Sequence, residues 1–154
     1  MILSTLCYIE KEGKYLMLHR TKKENDINKD KWIGIGGKFE EGESPEECIL
    51  REVKEETGLI LKTYQLRCII TYVSTNWETE YMYVFTSDEF EGILTECNEG
   101  ELEWVDKDKI LDLNTWEGDK IFIKKIQKED GFFTAKFNYD GDKLLKYNLT
   151  EYIN

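Results

Sequence analysis

The amino-acid sequence predicts an α/β layered domain spanning residues 1–154, on three observations. Segments rich in Ile, Val, Tyr and Thr recur along the chain and read as strands. The stretch from Ser44 to Gly58 carries both a helix start and a helix stop. Strands and helices interleave, the order expected when helices cover the faces of a sheet. A chain of 154 residues, 40% of them hydrophobic, suffices for a buried core. It shows no internal repeat, low-complexity tract or Pro/Gly/Ser linker, so a single domain is expected.

Ile2 to Lys11 and Lys14 to Arg20 read as strands joined around Glu12-Gly13, a hairpin. Thr21 to Lys31 is polar and reads as a loop, and the glycine cluster Gly34-Ile35-Gly36-Gly37 follows. In Ser44-Pro45-Glu46-Glu47, Ser44 can cap a helix, Pro45 fits its first position and Glu47 closes a capping box. Gly58 suits the left-handed C′ position, so the helix is expected from Pro45 to Thr57, with Cys48, Ile49 and Val53 facing inward. Leu59 to Ser74 and Glu78 to Ser87 read as strands. A short strand, Glu101 to Val105, leads to a helical turn at Lys107 to Leu111. Asp119 to Lys128 reads as a helix with Ile121, Ile123 and Ile126 on its apolar side. A last hairpin is expected from Phe132 to Tyr139 and Lys143 to Tyr152, turning at Asp140-Gly141.

The formal net charge of −11 excludes a nonspecific nucleic-acid binder, which needs excess Lys and Arg against the phosphate backbone. An acidic protein that handles phosphates needs metal cations to bridge the like charges. No apolar run approaches the roughly 20 residues of a membrane span, and the first residues lack the pattern of a signal peptide. Cys7, Cys48, Cys68 and Cys97 form no C-x-x-C pair and are expected as reduced, buried thiols, consistent with the cytoplasm.

On the predicted helix, Glu52, Glu55 and Glu56 share one face, because residues three and four apart are neighbours there. Three like charges on a stripe can be a solvated acidic face or a site for a divalent cation. Oxygen-rich sites suit Mg²⁺ or Mn²⁺. The surrounding spacing favours the cation. Gly37, Glu43, Arg51-Glu52, Val53, Glu55-Glu56, Gly58 and Leu59 stand at fixed intervals. At average residue frequencies such a set arises by chance well below about one in a million per start position. Other phosphate motifs fail: Phe39 breaks G-x-G-x-x-G, and no G-x-x-x-x-G-K-[ST] occurs. His19, the one histidine, lies in a predicted strand and gives no support to a catalytic triad.

Across Gly37 to Leu59 the spacing is that of the Nudix box, and the chain resembles the Nudix hydrolase family. The resemblance implies a mixed β-sheet sandwiched between α-helices and hydrolysis of a nucleoside diphosphate-linked substrate. Glu52, Glu55 and Glu56 would be metal ligands for Mg²⁺ (or Mn²⁺), with Glu52 also a base. Glu43 would support the site, Arg51 would orient the glutamates by ion pairing, and the Gly36 carbonyl would be a further ligand. Gly37 and Lys38 would lie against the substrate.

The chain also resembles the MutT-type subgroup, including members that hydrolyse oxidised purine nucleoside triphosphates. Glu99, five residues before Trp104, matches a downstream metal carboxylate, with Glu101 the fallback. Trp116 and Asp119 match residues that stack on and hydrogen-bond the purine. Trp116 could equally be a packed core aromatic, and Asp119 a helix cap. Ile33 stands where oxidised-guanine hydrolases of this kind have an asparagine that bonds the base, which puts that substrate in question. Tyr72, Trp77, Tyr81 and Tyr83 could line a base pocket or pack the sheet.

The resemblance thus implies conversion of a (modified) purine nucleoside triphosphate, 8-oxo-dGTP among the candidates, to the monophosphate and pyrophosphate. The implied partner is a nucleotide, with no nucleic-acid polymer and no membrane. Two other readings stand: a Nudix hydrolase of dinucleotides, nucleotide sugars or capped RNA, and a nucleotide-sensing domain without turnover. The presence of all four box glutamates favours catalysis over sensing.

Overall fold

Strand β1 (Ile2–Lys11) is the spine of the fold, and its burial explains the rest. The computed structural model describes residues 1–152. After β1 come β2 (Lys14–His19), β3 (Trp32–Ile33), β4 (Ile35–Lys38), α1 (Pro45–Thr57), β5 (Ile60–Leu61), β6 (Gln65–Ser74) and β7 (Glu80–Ser87). Then follow β8 (Phe90–Glu91), β9 (Glu101–Asp106), a 3-10 helix (Lys107–Asp112), α2 (Glu117–Gln127), β10 (Phe133–Asp140) and β11 (Lys143–Glu151). One side of β1 runs parallel to β7. The other side pairs antiparallel with β4 over Ser4 to Cys7 and with β2 at Glu10 and Lys11. The mixed sheet continues beyond β7 through β6 and β10 to β11, while β2 also carries β3 and β9. Strands β5 and β8 form a separate ribbon.

Residues Ser4 to Ile9 of β1 are all buried, which alternation alone would not produce. The reason is a cover on each face. Leu6 and Tyr8 point to Phe122, Ile123 and Ile126 of α2, whereas Cys7 and Ile9 point to Ile49 and Val53 of α1. The sheet therefore lies between two helices, the sandwich that the family resemblance implied.

Helix α1 has the expected bounds because its ends are built into the chain. The Ser44 hydroxyl accepts from the Glu47 N–H, and the Glu47 carboxylate accepts from the Ser44 N–H, a complete capping box. Gly58 closes the helix at φ 81°, with its N–H on the Lys54 carbonyl.

Several local expectations need correction. The glycine cluster is not merely a connection: it supplies β4, pressed so close to β1 that a Cβ on Gly36 would stand 1.9 Å from the Thr5 carbonyl oxygen. The expected strand from Leu59 to Ser74 is two strands, β5 and β6, because β5 turns aside to pair with β8. Helix α2 begins two residues early, with Trp116 in the cap position, so Asp119 lies inside the first turn and does not cap. Phe122 is buried there while Ile121 is only half-buried. The last hairpin turns at Gly141-Asp142, one residue later than expected. All four cysteines are free and buried. Among the described residues no helix is long and apolar enough to cross a membrane.

Among the described residues Asp119 is the one buried acidic residue, 3% exposed, and its Oδ1 accepts from the Tyr72 hydroxyl at 2.6 Å. Burial pushes its carboxyl up from 3.8 to about 7, against the Tyr72 hydrogen bond and with Glu80 adding to the rise.

Two stability outcomes follow from these contacts. Ser44→Ala is expected to cost about 1 kcal/mol in urea denaturation with an unchanged m value, since it leaves the Glu47 N–H without its acceptor. Between about pH 4 and 7 folded Asp119 holds a proton that the unfolded chain has lost, so stability falls as pH rises through that window and levels off above it. Asp119→Asn, which keeps an acceptor for Tyr72, is expected to exceed the parent by on the order of 1–3 kcal/mol at about pH 8. That gain should vanish at about pH 4, as thermal melts across the range will read.

Candidate active site

The outer face of α1 lies over β4, and the two elements can approach because β4 carries glycine at position 37, where they meet. A Cβ on Gly37 would stand 2.5 Å from the Glu52 carboxylate. The opposite, apolar face of α1 fixes the helix through Ile49 and Val53, so the glutamate face is held outward.

Arg51 organises that face. Its Nε and Nη2 donate to the two oxygens of Glu43 at 2.6 and 2.9 Å. Nη1 donates to Glu52 at 2.8 Å and to Glu55 at 3.1 Å, and Nη2 also reaches the Lys38 carbonyl at 3.1 Å. Glu43 accepts a further bond from the Glu40 N–H at 2.7 Å. The Arg51 bonds, with that from Glu40, hold the Glu43 carboxyl down to about 2.

Glu52 and Glu56 are half-buried, and burial raises the carboxyl of each. For Glu52 the Arg51 hydrogen bond opposes the rise. Glu56 goes up to about 9, first through burial and then through neighbouring Glu99 and Glu52. One of its oxygens, Oε2, is buried and has no hydrogen-bond partner. Glu99 comes from the turn before β9, where Arg20 and Lys23 donate to it at 2.7 and 3.0 Å. Burial works against its charge, yet hydrogen bonds from Glu56 and Lys23 and the charge of Arg20 hold its carboxyl low.

An orphaned buried carboxylate oxygen, flanked by two more carboxylates, fits a divalent cation with hard oxygen ligands. Among the described residues no three acidic side chains already form a closed cage. Glu52 and Glu55 are turned to Arg51, and Glu55 is 58% exposed. Glu101, the fallback ligand, is exposed on β9 opposite His19. Gly36 sits in β4 opposite Leu6, and the Lys38 side chain is exposed at the strand's end.

The residues expected around the base are only partly brought together. On the α2 side, Trp116 meets Tyr139 edge-on at 5.3 Å between ring centroids, and its Nε1 donates to Asn28 at 2.7 Å. The Lys31 ammonium lies 4.6 Å above the indole. Tyr72, beside Tyr139, reaches Asp119, and the buried hydroxyls of Tyr8 and Thr115 have no partner. Ile33 is elsewhere: half-buried, it packs against the cluster that faces α1. Tyr83 packs on that side too, against Phe39, while Trp77 is 53% exposed. His19 is a strand residue stacked on Trp32 at 4.4 Å.

Arg20, Lys23 and Asp26 were not singled out from the sequence. Arg20 bridges Asp26 and Glu99, the latter 79 residues away. No local spacing signals a pairing of that range, and only the basic run Arg20-Thr21-Lys22-Lys23 beside an acidic one hints at it.

The geometry agrees with what the chain is similar to. A match to the NUDIX domain covers residues 3–126. An uncharacterised Nudix hydrolase of Bacillus subtilis is 30% identical over 94% of this chain and 92% of its own. The oxidized purine nucleoside triphosphate hydrolase of Danio rerio is 32% identical over 97% of this chain and 94% of its own. The crystal structure of the mutator MutT protein from Bacillus halodurans superposes with a TM-score of 0.86 at 31% identity, covering 97% of both chains. The chain belongs to the Nudix family and is a MutT-type Nudix hydrolase, an enzyme acting on phosphorus anhydrides.

Proposed function

We propose that the protein is a Mg²⁺-dependent purine nucleoside triphosphate pyrophosphohydrolase that releases the monophosphate and pyrophosphate. Oxidised purines such as 8-oxo-dGTP are included, a role in cleansing the nucleotide pool. The observation that carries this reading is the partnerless buried oxygen of Glu56 between Glu52 and Glu99. A divalent cation held by those carboxylates and the Gly36 carbonyl would neutralise diphosphate charge and acidify a water. Arg51 fixes Glu52 so that its second oxygen can take the proton of the attacking water. Glu43, kept ionised by the same guanidinium, holds Arg51 in place. Gly37, lacking a Cβ, leaves room for the Glu52 carboxylate to lie against β4. No side chain need bond covalently to phosphorus.

The purine is supported by the Danio rerio relative's name and by the polar set beneath Trp116. Asp119 keeps one oxygen for Tyr72, and two unpartnered hydroxyls, Tyr8 and Thr115, stand in the same interior. A base edge would satisfy such groups. A second reading has one observation behind it. A hollow of about 390 Å³ lined by Leu3, Lys38, Phe39 and Glu43 adjoins the site and could hold a group beyond the diphosphate, as in a dinucleotide or nucleotide sugar.

A substrate panel with Mg²⁺ separates these readings by their products. Pyrophosphate release from purine triphosphates is expected, and kcat should drop about 100-fold or more in Glu52→Gln and in Glu56→Gln. Full rates in both variants would sink the proposal. Trp116→Ala is expected to raise KM for triphosphates with a smaller change in kcat, as loss of stacking requires. Preferential cleavage of dinucleotides or nucleotide sugars would install the second reading.

A further inference from the structure

The loop from Thr21 to Lys31, between β2 and β3, lies outside every strand and helix, yet both halves of the candidate site are fastened to it. At the head of the loop, Arg20 Nη1 donates to Glu99 at 2.7 Å, beside Glu56. Further along, the indole Nε1–H of Trp116 donates to Asn28 Oδ1 at 2.7 Å. One carboxylate joins the two contacts. Arg20 Nε donates to Asp26 Oδ2 at 2.6 Å, and the Asn28 N–H donates to Asp26 Oδ1 at 3.0 Å. Hydrogen bonds therefore run without a break from Trp116 through Asn28, Asp26 and Arg20 to Glu99.

We propose that Asp26 is a positioning residue for both halves of the site, setting Glu99 for the cation and the Trp116 indole for the base. Both roles rest on the function proposed above, with Glu99 as a cation ligand and Trp116 as the platform for the purine. On the cation side, Asp26 anchors one edge of the planar Arg20 fork and so aims the other edge at Glu99. The pair is sheltered, with the Arg20 and Asp26 side chains 13% and 5% exposed, so it outweighs an ordinary surface bridge. It also divides the charge of the guanidinium. Without Asp26, Arg20 would turn wholly to Glu99 and hold that carboxylate against the incoming ion.

On the base side, the indole is fixed at three places: its N–H by Asn28, its edge by Tyr139 and one face by the Lys31 ammonium. Two of these come from a single turn, because the Lys31 N–H donates to the Asn28 carbonyl at 2.8 Å. Asp26 starts that turn. Its side chain takes the Asn28 N–H and its carbonyl takes the Lys29 N–H at 2.9 Å, the local bonding that aspartate offers in turns. The other face of the indole is left for a stacked base.

Two measurements without substrate read the two arms separately. Electron paramagnetic resonance gives the Mn²⁺ affinity, and the indole N–H resonance of Trp116, assigned with Trp116→Phe, reports its hydrogen bond. Asp26→Ala should weaken Mn²⁺ binding about fivefold and move the Trp116 resonance upfield. Asn28→Ala should move the resonance likewise but keep Mn²⁺ affinity within about twofold of the parent. Asp26→Asn, which keeps the shape and loses the charge, should weaken Mn²⁺ binding by a similar factor to Asp26→Ala, a second route if the alanine variant folds poorly. In a Glu99→Gln background, Asp26→Ala should change Mn²⁺ affinity by less than about twofold, since Asp26 acts through that carboxylate. An unmoved indole resonance in Asp26→Ala overturns the proposal, as does parental Mn²⁺ affinity in both Asp26 variants. An undiminished effect in the Glu99→Gln background overturns it too, because it marks a general loosening of the loop. If Glu99→Gln alone binds Mn²⁺ like the parent, the cation site proposed above fails, and the role of Asp26 at Glu99 with it.

Discussion

The guanidinium of Arg51 is the contact on which the site depends. A chain of net charge −11 gathers five glutamates around α1 and the turn before β9, and like charges at such range repel. Arg51 answers this with donors in a rigid planar fork. Two go to Glu43 in the loop, one nitrogen serves both Glu52 and Glu55 on the helix, and one hydrogen bond reaches the Lys38 carbonyl at the end of β4. One side chain thereby ties strand, loop and helix together. The pair is no ordinary surface bridge, because Arg51 and Glu43 are 21% and 14% exposed and meet through two parallel bonds. Across the site, Arg20 and Lys23 do the same for Glu99, which they hold beside Glu56.

Division of the sheet into two faces explains how such a concentration of acid is tolerated. The face under α1 supplies apolar anchorage through Cys7, Ile9 and Ile35, so the helix docks without help from Glu52, Glu55 or Glu56. The face under α2 holds the larger aromatic core and, within it, the Asp119–Tyr72 pair. The two polar clusters are insulated from each other by β1, whose side chains alternate between them. Changes that tune one face can therefore leave the chemistry of the other intact.

What was legible in the sequence was whatever local chemistry dictates. The bounds of α1 follow from Ser44, Pro45, Glu47 and Gly58, and the box that identifies the family lies on that same segment. The β1–β2 hairpin is likewise local, with Glu12 and Gly13 taking the positive φ values of 51° and 77° that its turn needs. Features set by distant partners were hidden. Gly36 became a strand residue because β1 lies against it, and Asp119 became a buried acid because Tyr72 crosses to it from β6. Ile33 was placed by resemblance at the position of a base-bonding asparagine, and its packing against the α1-side cluster could be seen only in the fold. Glu99 was singled out from the acidic run by resemblance, while the basic residues that hold it there became visible only in the fold.

The claim at the centre is that Glu56 belongs to a cation site formed with Glu52 and Glu99. Binding of Mn²⁺ followed by electron paramagnetic resonance tests this without reference to any substrate. The parent should bind the ion, and Glu56→Gln and Glu99→Gln should each weaken that binding at least about tenfold while the fold persists. Equal affinity in the parent and both variants would contradict the assignment.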